Sequence, residues 1–506
     1  MIRFFSRLFM VLSLLFCAVP ASAQTFQIEG VAFESSDYLT DELLNSVSAK
    51  YISRPITFDD LQAMIDELNL LYARSGVPTA RAVLPPQEIR DGILRVSLIE
   101  AEIEIVEVEG FRNTNPDFLR RTISLGVGTK PDFAQLERDL MIYDIAHDIS
   151  PQLSFSAGDT PGTTRAIIRA EEPERWSITG SLDNFGRPET GEARATAFVR
   201  WNSATGVRDT LSFQAQGSSG AQSTSVGYSR PVGPGGGRVV AALSYSTSSI
   251  IGGDFTVVRI KSDSASASLS YRRPAWVRPD RYVMFDGGLT YETTQSTIEE
   301  TDFADINLSD LFFSARYNRR YAKAVLGVSA GLRAGTADAI GTSETEGSYW
   351  LLYGEGTYAR PLSEKLMFNG TLRYQLAYGE NLPVARLLTA GGVGTVRGYP
   401  ENIRGGDSGV VLNFQLSARD PITPEAMPKL RMTPFGFVDA ALILPYRVDG
   451  GFNSEHDLLA SLGGGVSFGL GDKASLLAMI GVPLVDTLGF TDAGQPAFYL
   501  GLDYTF

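Results

Sequence analysis

Cysteine is almost absent from this chain of 506 residues, because its single cysteine is Cys17. One cysteine cannot close a bridge within the chain, so a disulfide framework is excluded. Histidine is equally scarce, with only His147 and His456. Neither has a second histidine or a cysteine near it in the sequence, so we expect no metal site and no cofactor. Both histidines are interpreted as surface residues.

Sequence signatures of catalysis are also missing. No G-x-S-x-G elbow and no Walker-type loop occurs. The stretch GDSG, residues 406–409, resembles the nucleophile loop of trypsin-like proteases, but no histidine stands in a suitable context for it. The run PGGG, residues 234–237, lies between two strand patterns and favours a tight turn over a phosphate loop. We therefore expect that the chain is not an enzyme.

Positive charge is in deficit, with 44 Lys and Arg against 58 Asp and Glu. An acidic balance argues against a nucleic-acid partner, because binding to a phosphate backbone needs an excess of cations. Long apolar runs are missing too. After residue 23 no run reaches the length of a membrane helix, so no transmembrane helix is expected.

The first residues are the exception, since they hold an apolar run of about a dozen residues, typical of a signal peptide. Basic Arg3 and Arg7 lie at its start, and the small residues Ala21 and Ala23 follow it before Gln24. This layout predicts a cleaved secretory signal peptide over residues 1–23. Cleavage would leave the exported chain without cysteine.

From residue 24 to residue 172 the pattern is mixed, with the order β-α-α-β-β occurring twice. In the first copy, TFQIEGVAF alternates as a strand and DDLQAMIDELNLLYARSG carries apolar residues at helical spacing. Gly76 is the predicted helix stop. The second copy extends from the strand pattern AEIEIVEVEG to the strand pattern TTRAIIRAEE. We predict two small α+β modules, over residues 24–100 and 101–172.

Beyond Glu172 the sequence alternates in stretches of about ten residues, the length of a membrane strand. The last stretch, AFYLGLDYTF, places these apolar residues on one face: Phe498, Leu500, Leu502, Tyr504 and Phe506. A period of two suits a strand between lipid and a wet lumen. About sixteen such stretches predict a transmembrane antiparallel β-barrel over residues 173–506. A secreted all-β sandwich or propeller is the alternative, but its outward faces should be polar.

A glycine-rich, charged loop interrupts the barrel pattern at about residues 379–408. It contains LTAGGVGTVRGYPENIRGGDSG, residues 388–409, in which Arg397 stands next to Gly398. On a later strand, FGFVD, alternation assigns Val438 to the lipid face and therefore turns Phe437 and Asp439 inward. An aspartate inside a barrel wall needs a partner.

The mature chain resembles the two-partner secretion transporters of the haemolysin-activation and filamentous-haemagglutinin-secretion type. Three segments carry the resemblance: YARSGVPTARAVLPPQEIRDGILRVSLIEAEIEIVEVEG, then SLDNFGRPETGEARAT, and finally GGVGTVRGY with GGDSG and FGFVD. The first is similar to the family's first polypeptide-transport-associated (POTRA) domain. Its matching positions are Tyr72, Gly76, Ala82, Leu84, Pro85, Gln87, Gly92, Glu100 and Gly110.

The resemblance implies that the loop folds back into the barrel and that its arginine meets the aspartate of an F-x-D motif. These residues are Arg397 and Asp439, with Phe437 beside them. An arginine held against a carboxylate makes two parallel charged hydrogen bonds. The alternative is that the two residues are solvated and unrelated. The other predicted site residues are Val396, Gly398 and Tyr399 in the loop motif, Gly406, Asp407 and Gly409 in the loop return, and Tyr504 and Phe506 as a C-terminal assembly signal.

The resemblance further implies an outer-membrane transporter that exports a large, β-rich partner protein of haemolysin or adhesin type by type V secretion, without nucleotide hydrolysis. The POTRA domains would lie in the periplasm and add unfolded substrate as a strand to a sheet edge. Expected partners are that substrate, outer-membrane lipid, and the barrel-assembly machinery that inserts the chain itself. A barrel-assembly factor and a passive porin or receptor are the alternatives.

The chain departs from the family pattern in three ways. Members often carry an N-terminal helix that plugs the barrel, but the first predicted strand already begins at Phe26, so no plug helix is expected. Val77 and Pro78 replace a glycine-aromatic pair, and Ala101 stands where glycine is frequent. The last two departures affect local details of the module only.

Overall fold

A computed structural model describes residues 25–253, 259–340, 347–379, 381–444, 457–487 and 491–506. The signal peptide predicted over residues 1–23 lies outside these ranges, and so does His456. The chain forms two compact units. The first holds the described residues up to Glu109 with Ser124–Leu136 and Leu153–Ile168, and the second holds Gly110–Ile123, Glu137–Gln152 and Arg169–Phe506. Within the described ranges, no helix is long and apolar enough to span a bilayer.

The region before the barrel contains two three-stranded sheets, with the orders β2-β5-β4 and β6-β8-β7. Its elements are β1 (Phe26–Gln27), β2 (Gly30–Phe33), α1 (Asp41–Ser48), β3 (Pro55–Ile56), α2 (Phe58–Arg74), β4 (Ala80–Val83), β5 (Ile93–Glu100), β6 (Glu102–Glu109), α3 (Pro116–Thr122), α4 (Phe133–Ala146), β7 (Gln152–Ala157) and β8 (Thr163–Arg169). The order therefore follows the repeated sequence pattern, with an additional short strand, β3, between the first two helices.

The prediction of one continuous strand over TFQIEGVAF is wrong. The segment divides into β1, which pairs with β3, and β2, which pairs in parallel with β5. Ile28 lies between them and is fully buried. The N–H groups of Glu29 and Gly30 both donate to the carbonyl oxygen of Gly92, at 2.8 and 3.3 Å. The strand breaks because the chain changes its hydrogen-bonding partner at this point.

Helix α2 is bounded as the sequence predicts. Thr57 and Asp60 form a capping box at its start, and Gly76 follows its end with a φ of 72°. The predicted apolar face packs into the core of the first unit, where the following helical residues are buried: Leu61, Met64, Ile65 and Leu68. Burial of this face, rather than helix propensity alone, stabilises the helix.

Glu100, one of the positions shared with the POTRA pattern, is a buried carboxylate. It accepts hydrogen bonds from the Tyr72 hydroxyl and from Lys130 Nζ, each at 2.9 Å. Burial favours the protonated form, but the hydrogen bonds from the Asp37 N–H, Ser36 and Lys130 outweigh it and keep the pKa of Glu100 below its ordinary value. The carboxylate therefore ties several segments of the first unit together.

Gln87, another shared position, completes the sheet with its side chain. Its amide donates to the Arg95 carbonyl oxygen at 2.6 Å and accepts from the Arg95 N–H at 2.8 Å. Arg95 lies in β5 beyond the register of β4, which begins at Ser97. The side-chain amide thus takes the place of a neighbouring strand for one residue.

Sixteen strands among the described residues form a closed antiparallel barrel, as predicted. They are β9 (Trp176–Asp183), β10 (Arg194–Asn202), β11 (Thr210–Gly217), β12 (Ala221–Val232), β13 (Gly237–Ser249), β14 (Ile260–Arg278), β15 (Arg281–Ile298), β16 (Thr301–Tyr321), β17 (Ala324–Ile340), β18 (Gly347–Pro361), β19 (Leu366–Gly379), β22 (Ser408–Ala418), β23 (Leu430–Leu444), β24 (Asp457–Leu470), β25 (Ala474–Pro483) and β26 (Ala497–Thr505).

The faces of the last strand follow the predicted alternation. Phe498 is 68% exposed on the outside, whereas Tyr499 is 9% exposed and faces inward. Strand β26 closes the barrel against β9 through five residue pairs, from Gly501 opposite Asp183 to Thr505 opposite Thr179. The barrel therefore ends on a strand with lipid on one side and the lumen on the other.

Several strands are longer than a bilayer requires. Strands β14 to β17 contain 17 to 21 residues, against ~9–11 for a membrane crossing. Strand β16 begins at Thr301, because its first residues continue the ladder with β15 as far as Ile298. The turn of the β15–β16 hairpin lies at the same barrel end as the loop between β19 and β22.

The prediction that His147 is a surface residue is wrong. Its ring lies 4.2 Å from that of Tyr143 and 5.6 Å from that of Phe118, and its Nδ1 is 3.3 Å from an Arg238 nitrogen. Burial, with the charges of Arg238 and Arg208, lowers the pKa of His147 to about 3. The sequence does not reveal this packing, because these contacts depend on the tertiary fold.

Candidate functional site

The connection from β19 to β22 is a long hairpin. A 3-10 turn, Val384–Arg386, precedes two short strands, β20 (Leu388–Ala390) and β21 (Arg404–Gly406), which pair with each other. We call residues 382–387 the loop root and residues 391–403 the loop tip. Val396 and Tyr399 of the tip are buried with residues of the inner wall, including Val411 and Leu459. The loop therefore folds inward.

Two glycines shape the start of the loop tip. Gly391 and Gly392 have φ angles of 114° and 89°, a region that side chains rarely adopt. A Cβ on Gly391 would lie 2.3 Å from the carbonyl oxygen of Pro400. The Thr395 hydroxyl accepts from the Gly391 N–H at 2.8 Å and donates to its carbonyl at 2.7 Å. The tip is thus a compact turn rather than an extended arm.

Arg397 and Asp439 meet inside the barrel. Arg397 donates from Nε to Asp439 Oδ2 at 2.7 Å and from a terminal nitrogen to Oδ1 at 2.8 Å, while its backbone N–H donates to Oδ2 at 3.1 Å. The side chain of Asp439 is 0% exposed and that of Arg397 is 11% exposed. A bidentate pair of this kind fixes both distance and orientation.

Three further side chains complete the pocket around this pair. Asn413 donates to Asp439 Oδ1 at 2.9 Å, and Gln415 accepts from Arg397 at 2.9 Å. The guanidinium carbon of Arg397 lies 3.6 Å from the centre of the Phe437 ring, within the range of a cation–π contact. Asn413 and Gln415 are inward-facing on β22, where they lie opposite Asp439 and Phe437.

The arrangement is stable only as a complete set. A buried charge left without its partner costs ~3–5 kcal/mol. Asp439 accepts four hydrogen bonds, from three Arg397 donors and from Asn413, so both carboxylate oxygens are satisfied. The site can therefore hold the loop tip strongly against the wall, and it can release the tip only at a cost in free energy.

The loop backbone passes very close to β25. Gly398 has a φ of 102°, and a Cβ on it would lie 3.1 to 3.2 Å from backbone atoms of Gly481, Val482 and Pro483. A Cβ on Gly481 would lie 2.7 Å from the Gly398 nitrogen. Two backbones approach this closely only where both residues lack side chains. Gly481 was not identified from the sequence, since nothing local distinguishes it from other strand glycines.

Two tyrosines fasten the tip to the last strands. The Tyr399 hydroxyl lies 2.9 Å from the Ala460 carbonyl oxygen and 2.8 Å from that of Val485. The Tyr499 hydroxyl accepts from the Gly398 N–H at 2.9 Å and donates to the Tyr399 carbonyl at 3.2 Å. Tyr399 is therefore a hydrogen-bonded anchor as well as a packed side chain.

The loop return joins the hairpin to the wall through side chains. Asp407 accepts from the Leu382 N–H at 3.2 Å, and the Ser408 hydroxyl accepts from the Ala377 N–H at 2.9 Å. A Cβ on Gly406 would lie 2.5 Å from the Leu444 carbonyl oxygen. The letters GDSG thus belong to a tightly packed strand start, in which the hydroxyl of Ser408 is engaged in a structural hydrogen bond.

The loop also contacts the hairpin of β9 and β10. This hairpin lies beside the pairing of β26 with β9 that closes the barrel, which we call the barrel seam. Arg194 of β10 donates to Asp183 at 2.8 Å and to Glu401 of the loop tip at 3.2 Å. Asn184 extends the seam with its side chain, which donates to the Phe498 carbonyl and accepts from the Leu500 N–H. These residues belong to the segment SLDNFGRPETGEARAT and lie at the same end of the barrel as the loop.

The predicted terminal residues lie elsewhere. Tyr504 and Phe506 are on the outer face, 42% and 71% exposed, with ring centres 4.8 Å apart. They are not part of the loop pocket. Among the described residues, no group of three or more His, Cys, Asp or Glu is arranged to hold a metal ion.

Comparison with protein families gives two matches. Residues 162–468 match the model of the haemolysin secretion/activation protein ShlB/FhaC/HecB. Residues 26–101 match the POTRA domain of ShlB type.

Three curated relatives are 21–28% identical to this chain over the aligned residues. A heme/hemopexin transporter protein HuxB from Haemophilus influenzae (strain 86-028NP) is 25% identical over 187 residues, which cover 37% of this chain and 33% of that protein. The chain thus spans about a third of the length of this relative. The outer membrane transporter CdiB of Dickeya dadantii (strain 3937) is 21% identical over 413 residues, covering 78% of this chain and 72% of that protein. The hemolysin transporter protein ShlB of Serratia marcescens is 28% identical over 200 residues, 39% and 34% of the two chains.

Solved structures show the same fold. CdiB from Escherichia coli superposes with a TM-score of 0.71 at 17% identity, covering 97% of this chain and 92% of that one. BamA from Haemophilus ducreyi lacking POTRA domains 1–3 gives a TM-score of 0.54 at 15% identity, covering 95% and 100%. At these identities the likeness concerns the fold alone.

Proposed function

Since the model of the haemolysin secretion/activation protein family ShlB/FhaC/HecB matches more than half of its residues, this chain belongs to that family, and we propose that it exports a partner protein across the outer membrane. The barrel would span the outer membrane, with residues 24–100 and 101–172 as two POTRA domains in the periplasm and residues 173–506 as the barrel. The partner would be a large, β-rich secreted protein of haemolysin or adhesin type.

The buried pair of Arg397 and Asp439 supports this function most strongly. A passive pore needs no charged loop pinned across its interior, whereas a protein channel must stay closed to small molecules until its substrate arrives. A 16-stranded barrel is wide enough to leave an aqueous channel when nothing fills it. The loop tip fills part of this lumen, and its docking to Asp439 would keep the path closed at rest.

Export would then require the loop tip to leave Asp439. Breaking the pair without replacement costs ~3–5 kcal/mol, less where lumen water solvates the separated charges. Interactions of the arriving substrate with the lumen would supply this free energy. We propose that folding of the substrate outside the cell then drives net transport.

Capture of the substrate would begin at the sheet edges of the first unit. An extended segment can add to an exposed edge strand through backbone hydrogen bonds. The edges here are β2 and β4 in one sheet and β6 and β7 in the other. Strand β4 is partly blocked, because the Asn69 side chain accepts from the Ala82 N–H at 2.8 Å and donates to its carbonyl at 3.2 Å. This leaves less free backbone on β4 than its length suggests.

The second candidate function is insertion of other barrels into the outer membrane. The observation that favours it is the shared fold with BamA, which is a likeness of fold only. Secretion is preferred, because the family model that matches is one of secretion and activation proteins.

Deletion of the gene separates the two functions. We expect one or a few proteins to disappear from the culture medium, while the set of outer-membrane barrels stays unchanged. Quantitative proteomics of the medium and of the outer membrane measures both in one culture. General depletion of barrels would instead support the assembly function, and an unchanged medium would contradict export.

A further inference from the structure

The loop root is attached to the barrel at a second buried site, on strands other than those that hold the tip. Arg386 of the root donates to Asp310 Oδ2 from a terminal nitrogen at 2.6 Å and from Nε at 3.0 Å. Its other terminal nitrogen donates to Glu292 at 2.8 Å. Asp310 and Glu292 belong to β16 and β15, whereas Asp439 belongs to β23.

Asp310 is as deeply buried as Asp439. Its side chain is 0% exposed, and its second oxygen accepts from the Tyr349 hydroxyl. Arg333 also donates to Asp310 Oδ2, the oxygen that Arg386 contacts, at 3.0 Å. Two arginines and two carboxylates balance their charges within this cluster, so its burial does not leave a net charge unpaired.

Apolar packing supports the same attachment. Leu382 of the loop root is fully buried against a cluster formed with Leu308, Ala337, Tyr349, Leu351 and Ala377. The tip packs into a different cluster on the wall of β22 to β24. The Gln375 side chain donates to the Arg386 carbonyl oxygen at 2.8 Å, which holds the root backbone as well as its side chain.

We propose that the loop is suspended from two independent anchors, so that release of Arg397 from Asp439 frees the tip while Arg386 and Asp310 keep the root on the wall. Arg386 and Asp310 are positioning residues in this scheme. The loop would then pivot about its root instead of leaving the barrel entirely. The inference goes beyond the proposed export function, since it concerns how the loop is held, and it can be tested without a substrate.

The test is the ion conductance of the purified full-length chain in planar bilayers, for Arg386→Ala, Arg397→Ala and the double variant. We expect Arg397→Ala to raise conductance, and the double variant to exceed it by about twofold or more, because two independent restraints on one loop act together. A variant that combines Arg386→Lys with Arg397→Ala should conduct less than the double alanine variant and close to Arg397→Ala alone. The reason is that a lysine still presents a positive charge to Asp310. A double variant that conducts no better than Arg397→Ala would overturn the proposal.

A labelling experiment in cells gives a second readout, because the only cysteine of the chain is Cys17. In a Cys17→Ala background, Gly394→Cys reports on the tip, where an added Cβ meets no atom within 4 Å. Val384→Cys reports on the root, where the side chain is 68% exposed. With a membrane-impermeant maleimide, Arg397→Ala should change the labelling rate at residue 394 and leave that at residue 384 unchanged. Equal changes at both sites would show that the loop moves as one piece, against the proposal.

Arg404→Ala is the matched control for both measurements. Arg404 lies in the same loop, but its carboxylate partner Asp457 is 42% exposed at 3.2 Å. An ion pair that water reaches contributes little, so this variant should leave conductance and labelling as in the unmodified chain. Folding of every variant is checked by heat-modifiable migration of the barrel.

Discussion

The tip and the root of the inward-folded loop are held by the same chemistry in different ways. At the tip, Arg397 donates three of the four hydrogen bonds that Asp439 accepts, and the backbones of Gly398 and Gly481 lie in contact. At the root, Asp310 is shared between Arg386, Arg333 and Tyr349. The tip therefore has one ion pair, to a single carboxylate, whereas Arg386 binds two carboxylates, Asp310 and Glu292, and Leu382 adds apolar burial at the root.

This difference suggests a division of work within the loop. A contact that depends on one pair can be broken by one competing interaction, as a gate requires. A root that binds two carboxylates and buries an apolar side chain is harder to detach and suits a fixed point. The following variants, ordered by the size of the expected effect, test whether the tip is the sensitive end.

Removing the wall carboxylate that holds the tip should have the largest effect. Asp439→Ala leaves Arg397 buried without a counter-charge, which costs the docked state ~3–5 kcal/mol. We therefore expect the tip to undock and export of the partner protein to fall about tenfold or more. Immunodetection of the partner in the medium measures this. Asp503→Ala, at an exposed aspartate of the last strand, is the control and should export normally; equal losses in both variants would remove any special role for Asp439.

Forcing the two backbones apart should be nearly as damaging. Gly481→Ala places a Cβ 2.7 Å from the Gly398 nitrogen, which the packed wall cannot accommodate without a shift costing ~1–3 kcal/mol. We expect higher conductance and reduced export. Gly469→Ala on the neighbouring strand is the control, since its Cβ would have its nearest neighbour at 3.9 Å. Unchanged conductance for Gly481→Ala would mean that the tip does not need this close approach.

Removing the Tyr499 hydroxyl, which binds the backbone of the tip, should have an intermediate effect. Tyr499→Phe leaves the buried Gly398 N–H without its acceptor, at ~1–3 kcal/mol. We expect faster labelling of a cysteine introduced at Gly394, with export reduced only in part. Tyr504→Phe, on the outer face of the same strand, should change neither quantity, and a labelling rate equal for both variants would argue against a tip anchor at Tyr499.

The contact near the seam should matter least. Arg194 and Glu401 are 19% and 37% exposed at 3.2 Å, and solvated pairs contribute ~0–1 kcal/mol. Glu401→Gln should therefore leave export and conductance within a factor of about two of the unmodified chain. A loss as large as that of Asp439→Ala would move the sensitive point of the loop from Arg397 to the seam.

The sequence predicted the barrel well, because period-two alternation is a local signal that each strand carries for itself. It also turned Asp439 inward by parity, although the link to Arg397 came from family resemblance. Gly481 and the pair of Arg386 and Asp310 could not be found in this way. The latter residues are 76 positions apart, and a glycine's role at a backbone contact is visible only once the loop is in place.

Strand β22, which lines the pocket beside β23, illustrates the same limit. Asn413 and Gln415 have the right parity to face the lumen, but their closeness to Arg397 depends on the register between β22 and β23. A change of one residue in that register would turn them to lipid. Parity selects candidates, and the fold decides which of them meet.

The most direct test of the account exchanges the charges of the tip pair. Export is measured for Arg397→Asp, for Asp439→Arg and for the double variant that carries both, with barrel insertion checked in each. We predict severe loss in each single variant and partial recovery in the double variant, because opposite charges again face each other in the buried pocket. Export at the unmodified level in Arg397→Asp, with the barrel normally inserted, would contradict the account.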